Sequence, residues 1–189
     1  MVKTEIGYTT TDTIFVRGLN LSTDIIGKFD FVDMIFFTTL ARLPEPCEKT
    51  MVNALLVTTA DHGITPSSLA GRLTFIGAPE ALQGAVAAGL LGAGSVFLGT
   101  MQNAADMLLE GAKGLPSDAS DEQIRDAARG LILRHKEQRR AIYGVGHPIH
   151  IDGDPRVPTL RELSRANGYY GLHWRLMDAI AQVLTREQN

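Results

Sequence analysis

The segment 59–68 holds residue types that bind a carboxylate. His62 lies where one helix is predicted to end, and Thr65, a good N-cap before Pro66, begins the next. The end of the first helix favours a protonated imidazole, and the start of the second offers unpaired N–H groups to an anion. His62 is therefore a candidate carboxylate ligand. The alternative is that Asp61, His62 and Thr65 only cap and pair at a tight helical turn.

A second candidate segment is the irregular loop 143–158, which is rich in glycine, proline, histidine and aspartate. Gly144 and Gly146 let a ligand approach the backbone closely, and His147 can exchange protons near neutral pH. Arg156 can bind a carboxylate through two parallel N–H groups. The alternative is a surface loop in which Arg156 only pairs with neighbouring aspartates.

Other chemistries have little support in the sequence. His147 and His150 are three residues apart, His62 is remote, and a zinc site would need cysteine or carboxylate ligands at standard spacing beside them. We therefore expect no metal site. The Gly-x-Gly of 144–146 follows no strand and opens no helix, so it is not a dinucleotide-binding loop. The serines after His62 lack the strand–turn–helix setting of a hydrolase nucleophile.

The composition is that of an ordinary globular chain. The 189 residues are 44% hydrophobic and 21% charged, with a net charge of −3, which indicates neither a nucleic-acid partner nor a membrane surface. The longest apolar stretch, 85–98, is interrupted by glycines and is shorter than the ~20 residues that cross a bilayer. Residues 1–13 lack the apolar core of a signal peptide. The single cysteine, Cys47, fits a reducing, cytoplasmic compartment.

Helical periodicity dominates the chain and predicts an all-α fold in one domain that spans 1–189. A strand is predicted at 13–17, so the sheet would be at most a short N-terminal strand pair. The helices are predicted at 30–43, 45–62, 65–77, 79–91, 100–110, 120–141, 159–166 and 171–186. The helix 79–91 consists almost wholly of small and apolar residues, which predicts burial either inside one subunit or at the centre of a dimer.

Four motifs, in this order, resemble the citrate synthase superfamily. They are Ala60-Asp61-His62-Gly63, the glycine-containing join 92–99, Gly144-Val145-Gly146-His147 and Asp154-Pro155-Arg156. The resemblance runs from about residue 12 to the C-terminus, and it is nearest to the citryl-CoA lyase branch, including the citryl-CoA lyase module of ATP-citrate lyase. It implies a citrate synthase-like helical fold, C-terminally truncated here, that assembles as a homodimer.

The resemblance also implies a reaction and the residues that carry it. The reaction is cleavage of citryl-CoA or an analogue to acetyl-CoA and oxaloacetate, or the reverse condensation, with coenzyme A as substrate and no cofactor. His62 and His147 would be catalytic: His62 would hold a substrate carboxylate, and His147 would hydrogen-bond the oxygen at the carbon whose bond forms or breaks. Arg156 would bind a second carboxylate. The CoA adenine would contact the backbone of Tyr143, Gly144, Val145 and Gly146.

The chain departs from the family pattern in three places. Residues 96–98 are Val-Phe-Leu, where a citrate synthase has a histidine that polarises acetyl-CoA, and this favours a lyase. Pro148 stands where an arginine often follows the loop histidine. The family's catalytic aspartate is expected beyond Asn189, and Asp178 lies outside that motif, so its role is not carried over.

A rival hypothesis is a non-catalytic homologue that binds CoA and a carboxylate. Pro148 and the missing synthase histidine motivate it. A third hypothesis is an all-α scaffold without a small ligand, but a packed bundle has no need of so long a polar connection as 143–158.

Overall fold

The computed structural model describes residues 4–146, 150 and 153–187. Helices dominate these residues, which confirms the all-α fold class. The helices are α1 (Phe31–Leu40), α2 (Pro46–Thr59), α3 (Pro66–Gly77), α4 (Leu82–Leu91), α5 (Thr100–Ala112), α6 (Asp121–Glu137), α7 (Arg156–Ala166) and α8 (Leu172–Glu187), with a π-helical turn at Leu21–Ile25. None of the helices in the described ranges is long and apolar enough to span a membrane.

A small sheet precedes the helices. Strands β1 (Gly7–Thr9), β2 (Ile14–Val16) and β3 (Leu19–Asn20) pair antiparallel in that order. Phe15 of the central strand lies opposite Tyr8 on one side and Asn20 on the other. The expected strand pair is thus present, and a third strand extends it, because the chain reverses at Gly18 with a φ of 83°.

The chain folds into two compact units. The first contains the residues up to Asp61 together with Ala166–Gly168, and the second contains His62–Arg165 and the residues from Tyr169 onward. The assignment of 1–189 to a single domain stays a prediction.

Charged side chains hold the first unit together. Lys49 of α2 lies 2.8 Å from both carboxylate oxygens of Asp33 and 2.7 Å from Asp30 Oδ2. Asp30 and Asp33 also form the capping box that starts α1. Arg17 donates from Nε and Nη2 to the Thr38 carbonyl at 3.1 and 2.6 Å. These contacts join the sheet, α1 and α2.

The core of the second unit lies between α5, α6 and α8. Its buried side chains include Met107, Ile124, Leu131, Ile132, Leu176, Ile180 and Val183. Gly111 lets α5 approach closely, since a Cβ there would lie 2.9 Å from Leu131 Cδ2 and 3.0 Å from Leu176 Cδ2. Ile142 and Val145 pack against the same core, so the segment after α6 is attached to it.

The helix starts and ends lie within about four residues of the predicted ones. Helix α1 ends at Leu40 rather than 43, α2 at Thr59 rather than 62, and α4 begins at Leu82 rather than 79. His62 therefore lies beyond the end of α2 and not in its last turn.

Ser120 and Gln123 form the capping box of α6. That helix ends earlier than expected, because the chain turns at Arg139, whose φ is 53°. Helix α7 begins at Arg156, earlier than predicted, because the Asp154 carboxylate accepts the Arg156 N–H at 2.9 Å and caps the helix.

The described residues do not bury helix α4, which disfavours the first of the two alternatives, a place in the middle of one subunit. Ala85 is its buried residue, whereas Leu90 is 71% and Leu91 87% exposed. Small residues bring α4 onto α3: Ser67 Oγ donates to the Gly89 carbonyl at 2.5 Å. The larger side chains of both helices consequently face outward. We call the exposed residues Leu73, Ile76, Val86 and Leu90 the α3–α4 face.

Candidate active site

His62 lies in the loop between α2 and α3, at the start of the second unit, and it is exposed. The start of α3 is rigidly built: Ser68 N donates to Thr65 Oγ1 at 3.1 Å, and Thr65 N donates to Ser68 Oγ at 2.8 Å. The His62 ring meets the Phe97 ring edge-on, with the centroids 5.5 Å apart and the planes at 68°. This geometry favours an aromatic pair and orients an imidazole that remains accessible to a ligand.

The predicted CoA segment begins after α6, and the core fixes part of it. Val145 packs against the buried cluster between α5, α6 and α8. Gly144 has a φ of 79°, and a Cβ there would lie 2.6 Å from Met177 Cε and 3.7 Å from Ala104 Cβ. Gly146 has the same φ, but a Cβ there would meet no atom within 4 Å. The first glycine therefore accommodates the protein's own side chains, and the second leaves its backbone accessible.

Arg156 is the first residue of α7, and it forms an ion pair with Asp154. Its Nε lies 2.9 and 3.1 Å from the two carboxylate oxygens, and its Nη2 lies 2.5 Å from Oδ2. The hydrogen bonds from Arg156 hold the pKa of Asp154 far below its usual value, and the carboxylate raises the pKa of Arg156 in return. The Arg156 side chain is 43% exposed, so it can meet a ligand from solution.

The described candidate residues belong to the same compact unit. Three of them have separate neighbours: His62 lies against Phe97, Gly144 against Met177 and Arg156 against Asp154. His147 lies outside the described residues. The convergence of His62, His147 and Arg156 on one ligand therefore stays a prediction.

A family model decides the relationship of this chain. The model described as citrate synthase, C-terminal domain, matches residues 20–188. The chain belongs to the citrate synthase family. No curated protein matches it.

Solved structures of this family share the fold. The chain is similar to citryl-CoA lyase from Hydrogenobacter thermophilus, with a TM-score of 0.79 and 29% identity, over 100% of this chain and 69% of that one. It is also similar to ATP citrate lyase from Methanothrix soehngenii in complex with citrate and coenzyme A, with a TM-score of 0.79 and 20% identity, over 98% and 29% of the chains. A variant of ATP citrate lyase from Methanosaeta concilii, in complex with (3S)-citryl-CoA, gives a TM-score of 0.78 and 19% identity, over 100% of this chain and 29% of that one. The last two likenesses concern the fold alone.

Two features of this citrate synthase family member were missed from the sequence. Phe97, in the join where a synthase has a histidine, is the aromatic neighbour of His62. The departure from the family pattern at 96–98 was the signal that could have suggested it. The burial of His135 at the end of α6 had a signal in the helical period, because His135 continues the face of Ile124, Ala128 and Leu131.

A cavity of the second unit lies apart from the predicted residues. It has a volume of about 340 Å³ and is lined by Asp121, Ile124, Arg125, Tyr170, Arg175, Asp178, Ala179 and Gln182. Asp178 accepts hydrogen bonds there from Arg161 at 2.5 Å and from Tyr170 at 2.9 Å, which is a structural role. Within the described ranges, no three His, Cys, Asp or Glu side chains are placed to hold a metal ion.

Proposed function

We propose that this chain belongs to a citryl-CoA lyase that cleaves citryl-CoA, or a close analogue, to acetyl-CoA and oxaloacetate, and that also catalyses the reverse condensation. The observation that carries the proposal is the likeness to the Hydrogenobacter thermophilus citryl-CoA lyase, which extends over all of this chain. Phe97 supports the cleavage direction, because it stands in the join where a synthase has a histidine that activates acetyl-CoA.

His62, His147 and Arg156 are the residues to which we assign the chemistry. Cleavage begins when the citryl hydroxyl gives its proton to His147, and the hydroxyl oxygen becomes the carbonyl of oxaloacetate as the adjacent carbon–carbon bond breaks. The bond electrons form the acetyl-CoA enolate, whose carbon takes up one proton, so the reaction consumes and releases no net proton. His147 hydrogen-bonds the oxygen that changes charge, while His62 and Arg156 hold carboxylates and so fix the substrate's orientation.

The ion pair of Arg156 suits it to this role. A guanidinium offers two forks of N–H donors, and Asp154 occupies the fork formed by Nε and Nη2. We propose that the fork formed by Nη1 and Nη2 binds the substrate carboxylate. Asp154 then aligns the guanidinium before the substrate arrives, which reduces the ordering cost of binding.

Coenzyme A is proposed as substrate, with its adenine on the backbone of 143–146, and no metal or organic cofactor is assigned. The positive φ angles of Gly144 and Gly146 support backbone recognition, because they turn peptide groups of this segment in directions that most residues disfavour. A cytoplasmic location stays a prediction.

We also propose that the protein is a homodimer through the α3–α4 face. Leu73, Ile76, Val86 and Leu90 are each more than half exposed, and so many large apolar side chains exposed on two packed helices favour an interaction site there. A Leu90→Asp substitution should shift the sedimentation of the protein from dimer to monomer. Leu133→Asp, on an exposed leucine of α6, is the matched control and should leave the dimer intact. A wild-type protein that sediments as a monomer contradicts this part of the proposal.

The activity is tested with the full-length protein and citryl-CoA, by coupling released oxaloacetate to malate dehydrogenase and following NADH. His147→Ala should lower turnover by ~10²-fold or more if His147 is the acid–base group. His150→Ala, in the same loop, is the control and should retain turnover.

The outcomes separate the lyase from a binding homologue. Calorimetric binding of coenzyme A and oxaloacetate without any turnover would support the non-catalytic alternative and refute the lyase. Unchanged turnover in His147→Ala would remove His147 from the mechanism.

A further inference from the structure

The last turn of α6 carries a buried imidazole. His135 is 2% exposed, and its Nδ1 lies 2.9 Å from the Ala141 carbonyl oxygen. Because a carbonyl oxygen only accepts, Nδ1 must carry the hydrogen. The His135 carbonyl in turn accepts the Arg140 N–H at 2.8 Å, across a turn in which Arg139 has a φ of 53°. Side chain and backbone of one residue thus fix the start of the segment that follows α6.

A carboxylate of α5 completes this arrangement. Glu110 accepts from Arg140 Nη1 at 3.0 Å and Nη2 at 3.2 Å, and Arg134 Nε lies 3.4 Å away. Its Oε2 lies 3.8 Å from His135 Nε2, which has no hydrogen-bond partner among the described residues. The hydrogen bonds from Arg140 lower the pKa of Glu110, so it remains ionised at neutral pH. Glu110 therefore links α5, the end of α6 and the segment beyond it.

We propose that Glu110, His135 and Arg140 form a clasp that positions the segment 141–146 for coenzyme A. The proposal rests on the proposed function, which assigns the CoA adenine to this backbone. Recognition by backbone groups requires that the backbone be held in place before the ligand arrives. Val145 anchors one end of the segment on the core, and the clasp anchors the other. Glu110, His135 and Arg140 are therefore positioning residues, which set the affinity for coenzyme A and not kcat.

The size of the effect follows from the population of the competent conformation. The apparent dissociation constant equals the intrinsic one divided by the fraction of molecules whose segment is correctly placed. A tenfold rise in the dissociation constant, which is about 1.4 kcal/mol, is expected where loss of the bond to Ala141 leaves about a tenth of the molecules with the segment placed for binding.

Two substitutions of His135 separate positioning from packing. In His135→Asn the side-chain amide nitrogen can take the place of Nδ1 and still donate to Ala141. In His135→Gln the amide nitrogen lies nearer the place of Nε2, toward Glu110, and the bond to Ala141 is lost. Both variants lose part of the ring's packing. Asp126→Asn, which removes an exposed ion pair with Arg129 on the same helix, is the control.

Coenzyme A binding is measured by calorimetry on the full-length protein, with KM and kcat for citryl-CoA beside it. His135→Gln should raise the dissociation constant and KM about tenfold with kcat retained. His135→Asn and Asp126→Asn should stay within about threefold of wild type. Equal losses of affinity in the two His135 variants, or a fall in kcat alone, would overturn the clasp.

Hydrogen exchange distinguishes failure of the clasp from failure of the proposed function. The amides of 141–146 should exchange faster in free His135→Gln than in free His135→Asn. Equal exchange refutes the clasp even if wild type binds coenzyme A. A wild-type protein that binds no coenzyme A refutes the CoA role of the segment, and the exchange comparison then shows whether the clasp still orders it.

Discussion

Alanine at Gly144 and at Gly146 should destabilise the protein to different degrees. Both glycines have a φ of 79°, so alanine incurs the same backbone strain at either position, about 1–2 kcal/mol. At Gly144 the new Cβ would also lie 2.6 Å from Met177 Cε, whereas at Gly146 it would meet nothing within 4 Å. The difference between the two variants therefore isolates the steric contribution of Met177.

The steric contribution should be modest, because the obstructing atom is the end of a flexible side chain. Overpacking a core typically costs about 1–3 kcal/mol, and a methionine methyl can rotate away to reach the lower end of that range. We expect Gly146→Ala to lower the free energy of unfolding by about 1 kcal/mol and Gly144→Ala by about 2 kcal/mol.

Urea unfolding followed by far-UV circular dichroism measures both values. A double-variant cycle with Met177→Ala removes the obstruction, so Gly144→Ala in that background should cost no more than Gly146→Ala does. Equal losses in the two single variants, or a larger loss at Gly146, would refute the assignment of Gly144 to contact with Met177.

Three further substitutions test the packing, capping and electrostatics of the fold. Leu176→Ala should lower the free energy of unfolding by about 2–5 kcal/mol, because Leu176 is fully buried. Leu133→Ala, at an exposed leucine of α6, is its control and should lower the same quantity by less than about 1 kcal/mol in the same urea titration. Ser120→Ala should cost about 1 kcal/mol in that assay through loss of the α6 N-cap. Hydrogen bonds from Arg42 lower the pKa of Glu48 from 4.5 to about 2. The stabilisation that this carboxylate gives is therefore fully present above pH 4.5 and is lost as the pH falls through about 2. An NMR titration of the Glu48 carboxyl carbon should show that pKa in wild type and a higher pKa in Arg42→Gln.

Local patterns in the sequence determine most of the secondary structure. Helix α3 begins where Thr65, Pro66 and Ser68 provide a capping box, and α6 begins at Ser120 for the same reason. These signals act over three or four residues, so they can be read from the sequence without knowledge of the chain's path. The order of the four family motifs is likewise a property of the sequence, and it was sufficient to identify the family.

Contacts between distant segments were decided only by the tertiary structure. The sequence left the position of α4 open, and the structure shows that its own chain does not cover Leu90. The sequence predicted a role toward a ligand for Gly144, and the structure adds a packing role, because Met177, which is remote in the chain, lies where a Cβ of residue 144 would be. His135 lies on the apolar face of α6, but its neighbour Glu110 belongs to α5. Each of these contacts joins segments that are far apart in the sequence, and no local pattern of residues specifies which elements pack together.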